Sequence, residues 1–587
     1  MQPATDGLRN VPRTSAAAAF ALATLALAAT PVSAQDLAAR ILKEGSENSQ
    51  VMRFQDALCH DIGSRLTGSR GFDRAADWAV AEFEKMGLEA KLSPWGEWKV
   101  GWDRGQWMGR MVAPKGLELQ VACPAWTEGT RGIQRGTLVR MPADEAGLEA
   151  LRAMLDDDDG VDGTSHWLYG ALPRGELGNA TRELFERDDV IGIVQSASST
   201  NWNSKDYPNQ IRVFGSRTAP LLAYDQRQRW PQAVVRDDQA IQLSEALKGD
   251  EPVVVEFELR NRWRQGPVTL NNVVADLVGT EFPDEYVIIC AHLDSWHQAT
   301  GATDNGTGTC STLECARILT TLGFRPKRTI RFLLWGGEEQ GLLGSRQYVV
   351  QNRTRMHKVS AVFNHDSGTN WAYSLSIAAS HEEDFAKIIQ PIVAGMQPPE
   401  ASHQGDVFTV RPTAVMRPAG GGSDHASFAA VGVPAFSWRL KGPVPYGRGW
   451  HSQWDTYSIV RPDFQKHNAT VFAVVAAGVA DLDHMLSRTG VERATPGGRR
   501  SRVNAQLIVE TWLGVELDGT KLTTVVNDGL GAKNRLLAGD AFATVDGTDV
   551  ANSRELLAAL RSGNSENGAV DVVVRRGEED VKLRLKL

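Results

Sequence analysis

Several features that would assign the chain to a specialised class are scarce in its 587 residues. Five cysteines are too few for a disulfide framework, and the odd number leaves at least one unpaired in a monomer, so we expect most to be small buried residues. Neither sign of charge dominates, because 63 basic and 71 acidic side chains give a net charge of −8. This balance does not favour a nucleic-acid partner or an anionic membrane.

What is present is an ordinary globular composition, with 42% hydrophobic and 23% charged residues. At roughly 150 residues per domain, the length suggests about three or four domains. Beyond the first 34 residues, changes in composition and in predicted secondary structure divide the chain into five units. The predicted units are a first part at 35–118 that begins helical and continues as a strand-like stretch, an inserted β-rich domain at 119–262, an α/β part at 263–487, a linker at 488–502 and a small β-rich module at 503–587.

The first 34 residues are typical of a secretory signal. Arg9 and Arg13 form a basic start, Ser15 to Thr30 is an uncharged Ala/Leu-rich stretch, and Val32-Ser33-Ala34 offers small residues before a cleavage point. The apolar stretch is short for a bilayer span, and no basic stop-transfer cluster follows it, so a cleaved signal is favoured. The alternative is that the segment stays uncleaved as a membrane anchor. We therefore expect export to a periplasm or to the outside, with no membrane span after cleavage.

The α/β part alternates apolar runs with helical segments. The runs Tyr286 to Ala291, Thr329 to Trp335 and Val359 to Asn364 are continuous and bounded by loops, as expected of strands buried on both faces of a sheet. The helical segments are Gly308 to Thr321, Gly341 to Gln351, His381 to Met396 and Asp463 to Leu486. This alternation predicts an α/β fold, a three-layer sandwich with a mostly parallel sheet.

Acids and imidazoles follow the predicted strands at their carboxyl ends, and others lie in the loops beyond. They are His292, Asp294, Asp304, Glu338, Glu339, Asp366 and His451. In an open α/β sheet ligands bind at the carboxyl ends of the strands, so we expect these side chains to meet at one edge. Each short pattern alone is common on protein surfaces, but their coincidence within one domain indicates a site.

The residue types suit zinc. Two His, two Asp and one Glu are too many ligands for one tetrahedral catalytic zinc, which also needs a water, but they suit two ions that share a carboxylate. Asp304, in a glycine-rich loop, is the candidate bridge. Glu338 and Glu339 are adjacent, so we expect one to ligate and the other to act as general base toward a metal-bound water. Asp294 is expected to accept the second imidazole N–H of His292 and to fix its tautomer.

The motifs around these residues resemble those of the co-catalytic di-zinc exopeptidases, a group of aminopeptidases, glutamate carboxypeptidases and glutaminyl cyclases. The matching text is Ala291-His292-Leu293-Asp294-Ser295-Trp296, Asp304-Asn305-Gly306 and Leu334-Trp335-Gly336-Gly337-Glu338-Glu339-Gln340-Gly341. The resemblance is strongest to the carboxypeptidase Q type and covers nearly all of residues 40–486. It implies a zinc exopeptidase fold whose peptidase domain comprises 35–118 and 263–487, with 119–262 similar to a protease-associated domain.

The resemblance also implies individual roles. Two zinc ions per chain are implied, the first held by His292 and Asp366, the second by Glu339 and His451, with Asp304 as the bridge. Glu338 would be the general base, and Asp294 would orient His292.

Departures from the family concern the substrate pocket. Some relatives place an oxyanion-stabilising Tyr directly before the last His, where this chain has Trp450, so Trp450 or Tyr446 is the candidate donor. The stretch Gly420 to His425 resembles the family's Ser-Asp-His loop, which makes Asp424 and His425 pocket candidates rather than ligands. His365 points to the opposite face of an extended chain from Asp366 and is expected to be structural.

The C-terminal module resembles a PDZ domain. Trp512-Leu513-Gly514-Val515 is similar to the carboxylate-binding loop of PDZ domains, and Ser553 to Arg561 would be the helix that flanks the groove. Such domains add an extended peptide to a sheet edge. Leu513, Gly514 and Val515 are therefore candidates for binding a peptide or protein C-terminus, with a packing or oligomerisation module as the alternative.

The sequence thus predicts a secreted two-zinc exopeptidase that hydrolyses short peptides or dipeptides, of the aminopeptidase or dipeptidase type. A metallocarboxypeptidase that reads the free C-terminus is the alternative, since the segment offers arginines for a carboxylate: Arg411, Arg417, Arg439 and Arg448. A glutaminyl cyclase would use a single zinc, and an inactive binding protein would lack ligands or the base. The complete residue set argues against both.

Overall fold

The computed structural model describes residues 34–157, 165–199, 205–400, 402–403, 405–418, 421–496 and 503–587. The predicted signal at 1–34 therefore lies outside the described residues, apart from Ala34. A six-stranded sheet, which we call the main sheet, forms the centre, with the strand order Glu89–Asp103, Arg262–Leu277, Arg328–Trp335, Phe282–His292, Val359–Asn364 and Ala435–Ser437. The last four strands in that order are parallel, and Arg262–Leu277 is antiparallel to both of its neighbours.

The strand Phe282–His292 is buried on both faces of the main sheet. Val287, Ile289 and Ala291 join the apolar core under one face, whereas Ile288 and Cys290 join the core under the other. Successive side chains of a strand point to opposite faces, so a continuous apolar run needs cover on both sides. The prediction of a mixed α/β fold is confirmed.

Helices supply that cover. One core draws on the helices Ala34–Glu47, Val51–Asp56, Arg70–Lys85, Thr307–Thr321, Glu382–Gly395 and Pro462–Ala480, and the other on Leu343–Gln351 and His425–Ala429. A short helix, Tyr446–Gly449, precedes the last predicted ligand. A separate three-stranded sheet contains Thr409–Thr413, Trp371–Ala378 and Arg439–Lys441.

The helix Pro462–Ala480 is buried along most of its length, as expected of a helix that is apolar on all sides. Its predicted end at Leu486 is wrong. Beyond Ala480 the Leu482 carbonyl accepts a hydrogen bond from Arg328, and Asp483 pairs with Lys327. These bonds direct the chain along the start of a main-sheet strand instead of continuing the helix.

A second sheet of eight strands lies outside the main sheet. Its order is Leu117–Leu119, Trp107–Ala113, Val254–Leu259, Gln134–Arg140, His166–Tyr169, Val190–Ser196, Gln232–Val235 and Val121–Ala122, and its helices are Glu145–Asp157, Gly175–Arg182 and Asp237–Ala246. The strand Trp107–Ala113 pairs with Val254–Leu259, so the chain leaves and returns at one place. We call residues 107–259 the insert. It begins upstream of residue 119, the predicted boundary, because this pairing already belongs to the second sheet.

The C-terminal module is β-rich. Its strands are Val515–Asp518, Lys521–Val525, Ala541–Val545, Thr548–Asp549, Ala569–Arg576 and Glu579–Lys586, and its helices are Ala505–Leu513, Leu530–Lys533 and Ser553–Asn567. Val515–Asp518 is an edge strand of the sheet.

The helix Ala505–Leu513 covers this edge strand. The Gln506 amide donates to the Leu517 carbonyl over 2.7 Å, and the Leu517 N–H donates to Glu510 Oε1 over 2.9 Å. Gly514, with φ of 69°, ends the helix in the left-handed conformation that glycine favours. Leu513, Gly514 and Val515 therefore form the junction between a helix and the strand it covers.

The same helix joins the module to the rest of the chain. Arg353 lies between two acids, with Nε 3.2 Å from Glu510 Oε2 and Nη2 2.7 Å from Glu516 Oε1. Leu507 packs against the apolar core under the main sheet. The module is thus held by both an ion-pair cluster and apolar contact.

All five cysteines are buried and unpaired, as the sequence predicts for most of them. Within the described ranges, no helix combines the length and the apolar character needed to cross a membrane.

We predict that Arg353→Ala weakens the docking of the C-terminal module by about 1–3 kcal/mol, because Glu510, which is 5% exposed, loses its charged partner. Thermal unfolding and the rate at which limited proteolysis releases the module would measure this. Arg355→Ala is the matched control, since Arg355 is exposed. Equal effects of the two substitutions would mean that docking does not depend on the Arg353 cluster.

Candidate metal centre

Three parallel strands of the main sheet end at one edge and bring predicted site residues there. His292 is the last residue of its strand and lies in register with Trp335. Glu338 and Glu339 follow Trp335 after a turn of two glycines, and Asp366 follows the third strand. Parallel register therefore explains why residues far apart in sequence meet.

Asp304 and His451 reach the same edge from loops. Asp304 lies in the turn that precedes the helix Thr307–Thr321. His451 follows the short helix Tyr446–Gly449 and has φ of 55°, a conformation that costs energy for a residue other than glycine. Contacts from elsewhere in the chain must therefore hold the His451 loop.

One carboxylate lies between two imidazoles. Asp304 Oδ1 is 3.2 Å from His292 Nε2, and Asp304 Oδ2 is 3.0 Å from His451 Nε2. On the outer sides, Asp366 Oδ1 is 3.3 Å from His292 Nε2, and Glu339 Oε2 is 2.9 Å from His451 Nε2. The five side chains thus form two adjoining groups that share Asp304.

These surroundings suit cations. Donor atoms of His292, Asp304 and Glu339 lie within 4.8 Å of one another. Asp304 Oδ2, Asp366 Oδ1 and His292 Nε2 are buried, and although they lie close to one another or to His451, these contacts lack hydrogen-bond geometry, so no described residue satisfies them. Burial alone would lower the pKa of His451, but the carboxylates of Glu339 and Asp304 raise it to about 10, so the site attracts positive charge. Imidazole nitrogens and carboxylate oxygens are donors that zinc takes, and the residues present fit it.

Asp294 differs from its predicted role. His292 Nδ1–H donates to the backbone carbonyl of Asp294 over 2.9 Å, whereas Asp294 Oδ1 is 3.5 Å away. The carboxylate instead accepts from the Thr67 hydroxyl over 2.9 Å and from the N–H groups of Glu338 and Glu339 over 3.2 Å each. The carbonyl therefore fixes the imidazole with its Nε2 lone pair toward Asp304, and the carboxylate fixes the turn that carries the two glutamates.

Glu338 lies half-buried beside this centre. Burial raises the pKa of its carboxyl well above the usual range, against the opposing charge of His292, and the neighbouring Asp366 and Asp424 raise it further. Of the two adjacent glutamates, it is Glu339 that contacts His451. The sequence leaves open which of the two glutamates is the ligand and which is the general base. This contact favours Glu339 as the ligand, which leaves Glu338 for the role of base.

Asp455 was missed by the sequence reasoning. It accepts hydrogen bonds from the Thr303 N–H over 2.6 Å, from the Thr303 hydroxyl over 2.7 Å and from the Asp304 N–H over 3.0 Å. Burial raises the pKa of Asp455 to about 6, with a further contribution from Asp304. Asp455 thereby fixes the backbone of the shared carboxylate. The available clue was an acid four residues after the last histidine.

A strap from the insert, residues 209–214, was also missed. Gln453 and the strap exchange hydrogen bonds, since the Ile211 N–H donates to Gln453 Oε1 over 2.8 Å and Gln453 Nε2 donates to the Asn209 carbonyl over 3.0 Å. The Phe214 ring lies 5.5 Å from the His451 ring, centroid to centroid. The strap therefore contributes to holding the His451 loop. No local pattern could reveal contacts between residues about 240 positions apart.

The two candidate oxyanion donors occupy different places. Trp450 stacks on His451 with ring centroids 4.1 Å apart, and the Arg212 guanidinium of the strap lies over its ring. Burial raises the pKa of Tyr446 well above the usual range, and the negative charges of Asp304 and Asp366 raise it further. Tyr446 is therefore close enough to the acids of the centre to feel their charge.

The Asp and the His of the Ser-Asp-His loop lie in different surroundings. His425 lines a cavity of about 370 Å³ together with Arg417 and Arg439. Asp424 is fully buried, and burial raises its pKa to about 7, so it lies beneath the pocket rather than in its wall, against the prediction. His365 packs on Phe472 with ring centroids 5.2 Å apart, which agrees with a structural role.

The five side chains of this centre lie in the part of the chain that is similar to a known protein family. Residues 272–476 match Peptidase family M28, and they contain His292, Asp304, Glu339, Asp366 and His451. Carboxypeptidase Q from Mus musculus is 27% identical over 442 residues, which is 74% of this chain and 86% of that protein. Carboxypeptidase Q from Xenopus laevis is 29% identical over 438 residues, with coverage of 73% and 85%.

A solved structure supports the fold. The crystal structure of a peptidase M28 precursor from Shewanella amazonensis has a TM-score of 0.53 and 24% sequence identity, and the match covers 77% of this chain and 98% of that chain. At this identity the likeness concerns the fold.

We predict that Asp455→Asn lowers zinc affinity by about 10- to 100-fold, because its amide nitrogen would replace one carboxylate oxygen, face one of the two backbone N–H donors and loosen the Asp304 loop. Zinc per chain after dialysis against a graded chelator measures the effect. Asp463→Asn, an exposed acid in the first turn of a helix, is the control. Unchanged zinc retention in Asp455→Asn would show that the Asp304 loop needs no such support.

Proposed function

We propose that this chain is a zinc-dependent hydrolase of the peptidase M28 type, an exported exopeptidase that uses two zinc ions to hydrolyse short peptides or dipeptides. The observation that carries the proposal is the position of Asp304, whose two oxygens lie 3.2 Å and 3.0 Å from the Nε2 atoms of two different histidines. His292 and Asp366 would hold one ion, Glu339 and His451 the other, and Asp304 both.

Glu338 would move the proton. When bound, zinc polarises the scissile carbonyl and lowers the pKa of a water toward about 7. Glu338 would take a proton from the attacking water and give it to the departing amine. The Asp294 carboxylate, by accepting the N–H groups of Glu338 and Glu339, would keep the base and the adjacent ligand in fixed positions.

Tyr446 would stabilise the oxyanion. Its phenol is a hydrogen-bond donor at neutral pH, because burial and the charges of nearby carboxylates raise its pKa and keep it protonated. Trp450 is the weaker candidate, because its ring already stacks on His451 and contacts the Arg212 guanidinium.

Cleavage from the carboxyl end is the second candidate activity. The cavity beside His425 carries two guanidinium groups, Arg417 and Arg439, which could hold a free substrate carboxylate. The relatives named Carboxypeptidase Q are consistent with this reading. A single-zinc cyclase or an inactive binding protein is disfavoured, because the second residue group and Glu338 are both present.

The two additional units would serve the peptidase in different ways. The insert, proposed as a protease-associated-like domain, would cap the site through its strap. For the PDZ-like module, the contacts favour the packing alternative over capture of C-termini at Leu513, Gly514 and Val515. An added peptide strand would compete with Gln506 and Glu510 for the backbone of Leu517.

A panel of peptides with blocked termini tests the proposal. Free dipeptides, N-acetyl peptides and peptide C-amides are compared with the purified enzyme, together with its zinc content. Cleavage that requires a free amine supports an aminopeptidase, and cleavage that requires a free carboxylate supports a carboxypeptidase. Indifference to both blocks, or one zinc per chain at full activity, would contradict a two-zinc exopeptidase.

We predict that Glu338→Gln lowers turnover by at least about a hundredfold while both zinc ions are retained, because the amide cannot accept the proton. Glu339→Gln should instead weaken the second zinc site, since a neutral amide is a poorer donor. Zinc stoichiometry and turnover are measured on both variants. If Glu338→Gln loses zinc and Glu339→Gln keeps it, the two roles have been exchanged.

We predict that Tyr446→Phe lowers kcat about a hundredfold with little change in KM, because the lost hydrogen bond acts on charge that develops in the transition state. Trp450→Phe is the comparison, and steady-state kinetics on one dipeptide distinguishes them. A larger loss in Trp450→Phe would assign the oxyanion to the indole.

A further inference from the structure

A second cavity, of about 620 Å³, lies at the root of the insert, and we call it the root cavity. The chain enters the insert through residues 103–106 and returns through 260–262, and both crossing segments line the cavity. The first turn of the helix Arg70–Lys85 contributes a further part of the lining. Its volume lies in the range of small-molecule sites, which occur preferentially between structural units.

The lining of the root cavity is strongly cationic. Its charged residues are Arg70, Arg74, Arg104, Arg260 and Arg262, with Asp103 as the acid among them. Burial lowers the pKa of His297, another lining residue, to about 3, so this imidazole is neutral. Arg260 also pairs with Glu258, outside the lining, with Nη2 2.9 Å from Oε1. Five guanidinium groups against these two carboxylates still form a local excess of positive charge in a chain whose net charge is −8.

An intramolecular carboxylate shows how an anion is held here. Asp103 Oδ1 accepts from the Arg70 backbone N–H over 2.7 Å, and Asp103 Oδ2 accepts from the Arg70 guanidinium over 3.1 Å. Asp103 is thus bound by both the backbone N–H and the side chain of Arg70, the first residue of its helix. Arg262 lines the cavity, is exposed and forms no ion pair with the described residues, so its charge is available to a bound anion.

Arg104 connects the root cavity to the candidate metal centre. Its Nη1 donates to the carbonyls of His297 and Gln298 over 2.7 Å and 2.8 Å. The Gln298 amide in turn donates to the carbonyl of Val213 in the strap. The loop between His292 and Asp304 thus contacts both the root cavity and the strap.

We propose that the root cavity binds a small anion with two or more negative charges, carried by phosphate, sulfate or carboxylate groups. Such an anion would bridge Arg74 on the helix to Arg260 and Arg262 on the returning segment. Arginine suits this task because its fork of N–H groups matches planar and tetrahedral oxyanions. A bound anion would hold the insert against the main-sheet body. This proposal does not depend on the proposed peptidase activity.

Pyrene-1,3,6,8-tetrasulfonate is the probe, because sulfonates are weak ligands for zinc and the dye reports binding by fluorescence anisotropy. It is titrated into the full-length zinc-loaded protein at physiological ionic strength. We expect saturable binding that Arg260→Ala/Arg262→Ala weakens at least about tenfold. Arg229→Ala/Arg554→Ala removes the same charge from exposed sites elsewhere and should stay within about twofold. Competition by inorganic phosphate and by benzene-1,3,5-tricarboxylate tells which anionic group is preferred.

Two outcomes would overturn the proposal. The first is no saturable binding by the wild-type protein, and the second is an equal loss in both double variants, which would mean unspecific attraction. If the Arg260/Arg262 alanine pair does not fold, as judged by thermal unfolding, Arg262→Gln replaces it and should weaken binding at least about threefold. Turnover is not the readout, so a failed peptidase assay leaves this result unaffected.

Discussion

The rest of the structure depends on confining several carboxylates at one edge of the main sheet. Asp304 and Glu339, which are buried, lie close to Asp366 and Glu338, which are half-buried, in a region where like charges repel strongly and water screens them poorly. His292 lies between Asp366 and Asp304, and His451 lies between Asp304 and Glu339, so a histidine separates each pair of these acids. A site of this kind is stable when cations balance the charge and when the backbone fixes every acid.

The surrounding chain supplies that fixing, and it does so with groups from distant segments. Thr67, from the first part of the chain, bonds the Asp294 carboxylate, which in turn bonds the backbone of both glutamates. Asp455 holds the backbone of Asp304 from the other side. The insert adds the strap over His451. The centre is therefore assembled by all parts of the domain together, although its ligands come from strand ends and two loops.

Sequence alone predicted what local pattern determines. The strand Val359–Asn364 was predicted with its observed bounds, because a continuous apolar run needs cover on both faces. The clustering of His292, Glu339 and Asp366 followed from parallel strands that end at one edge. What it could not predict depends on long-range contact: the bond from His292 to a backbone carbonyl, the part played by Asp455, and the end of the helix at Ala480. The burial of Asp424 was missed for the same reason, since sequence does not show what covers a loop.

The helix Ala505–Leu513 also bears on how the protein behaves at high concentration. An exposed sheet edge offers unpaired N–H and carbonyl groups to the edge of another molecule, which is a common route to aggregation. Here one edge of the C-terminal sheet is covered by this helix, and the opposite edge strand, Glu579–Lys586, carries Lys582, Arg584 and Lys586. The same strand begins with Glu579 and Asp580, and charged side chains along an edge strand oppose its pairing with another molecule. The module is thereby protected from edge-to-edge association on both sides, by cover on one and by charged side chains on the other.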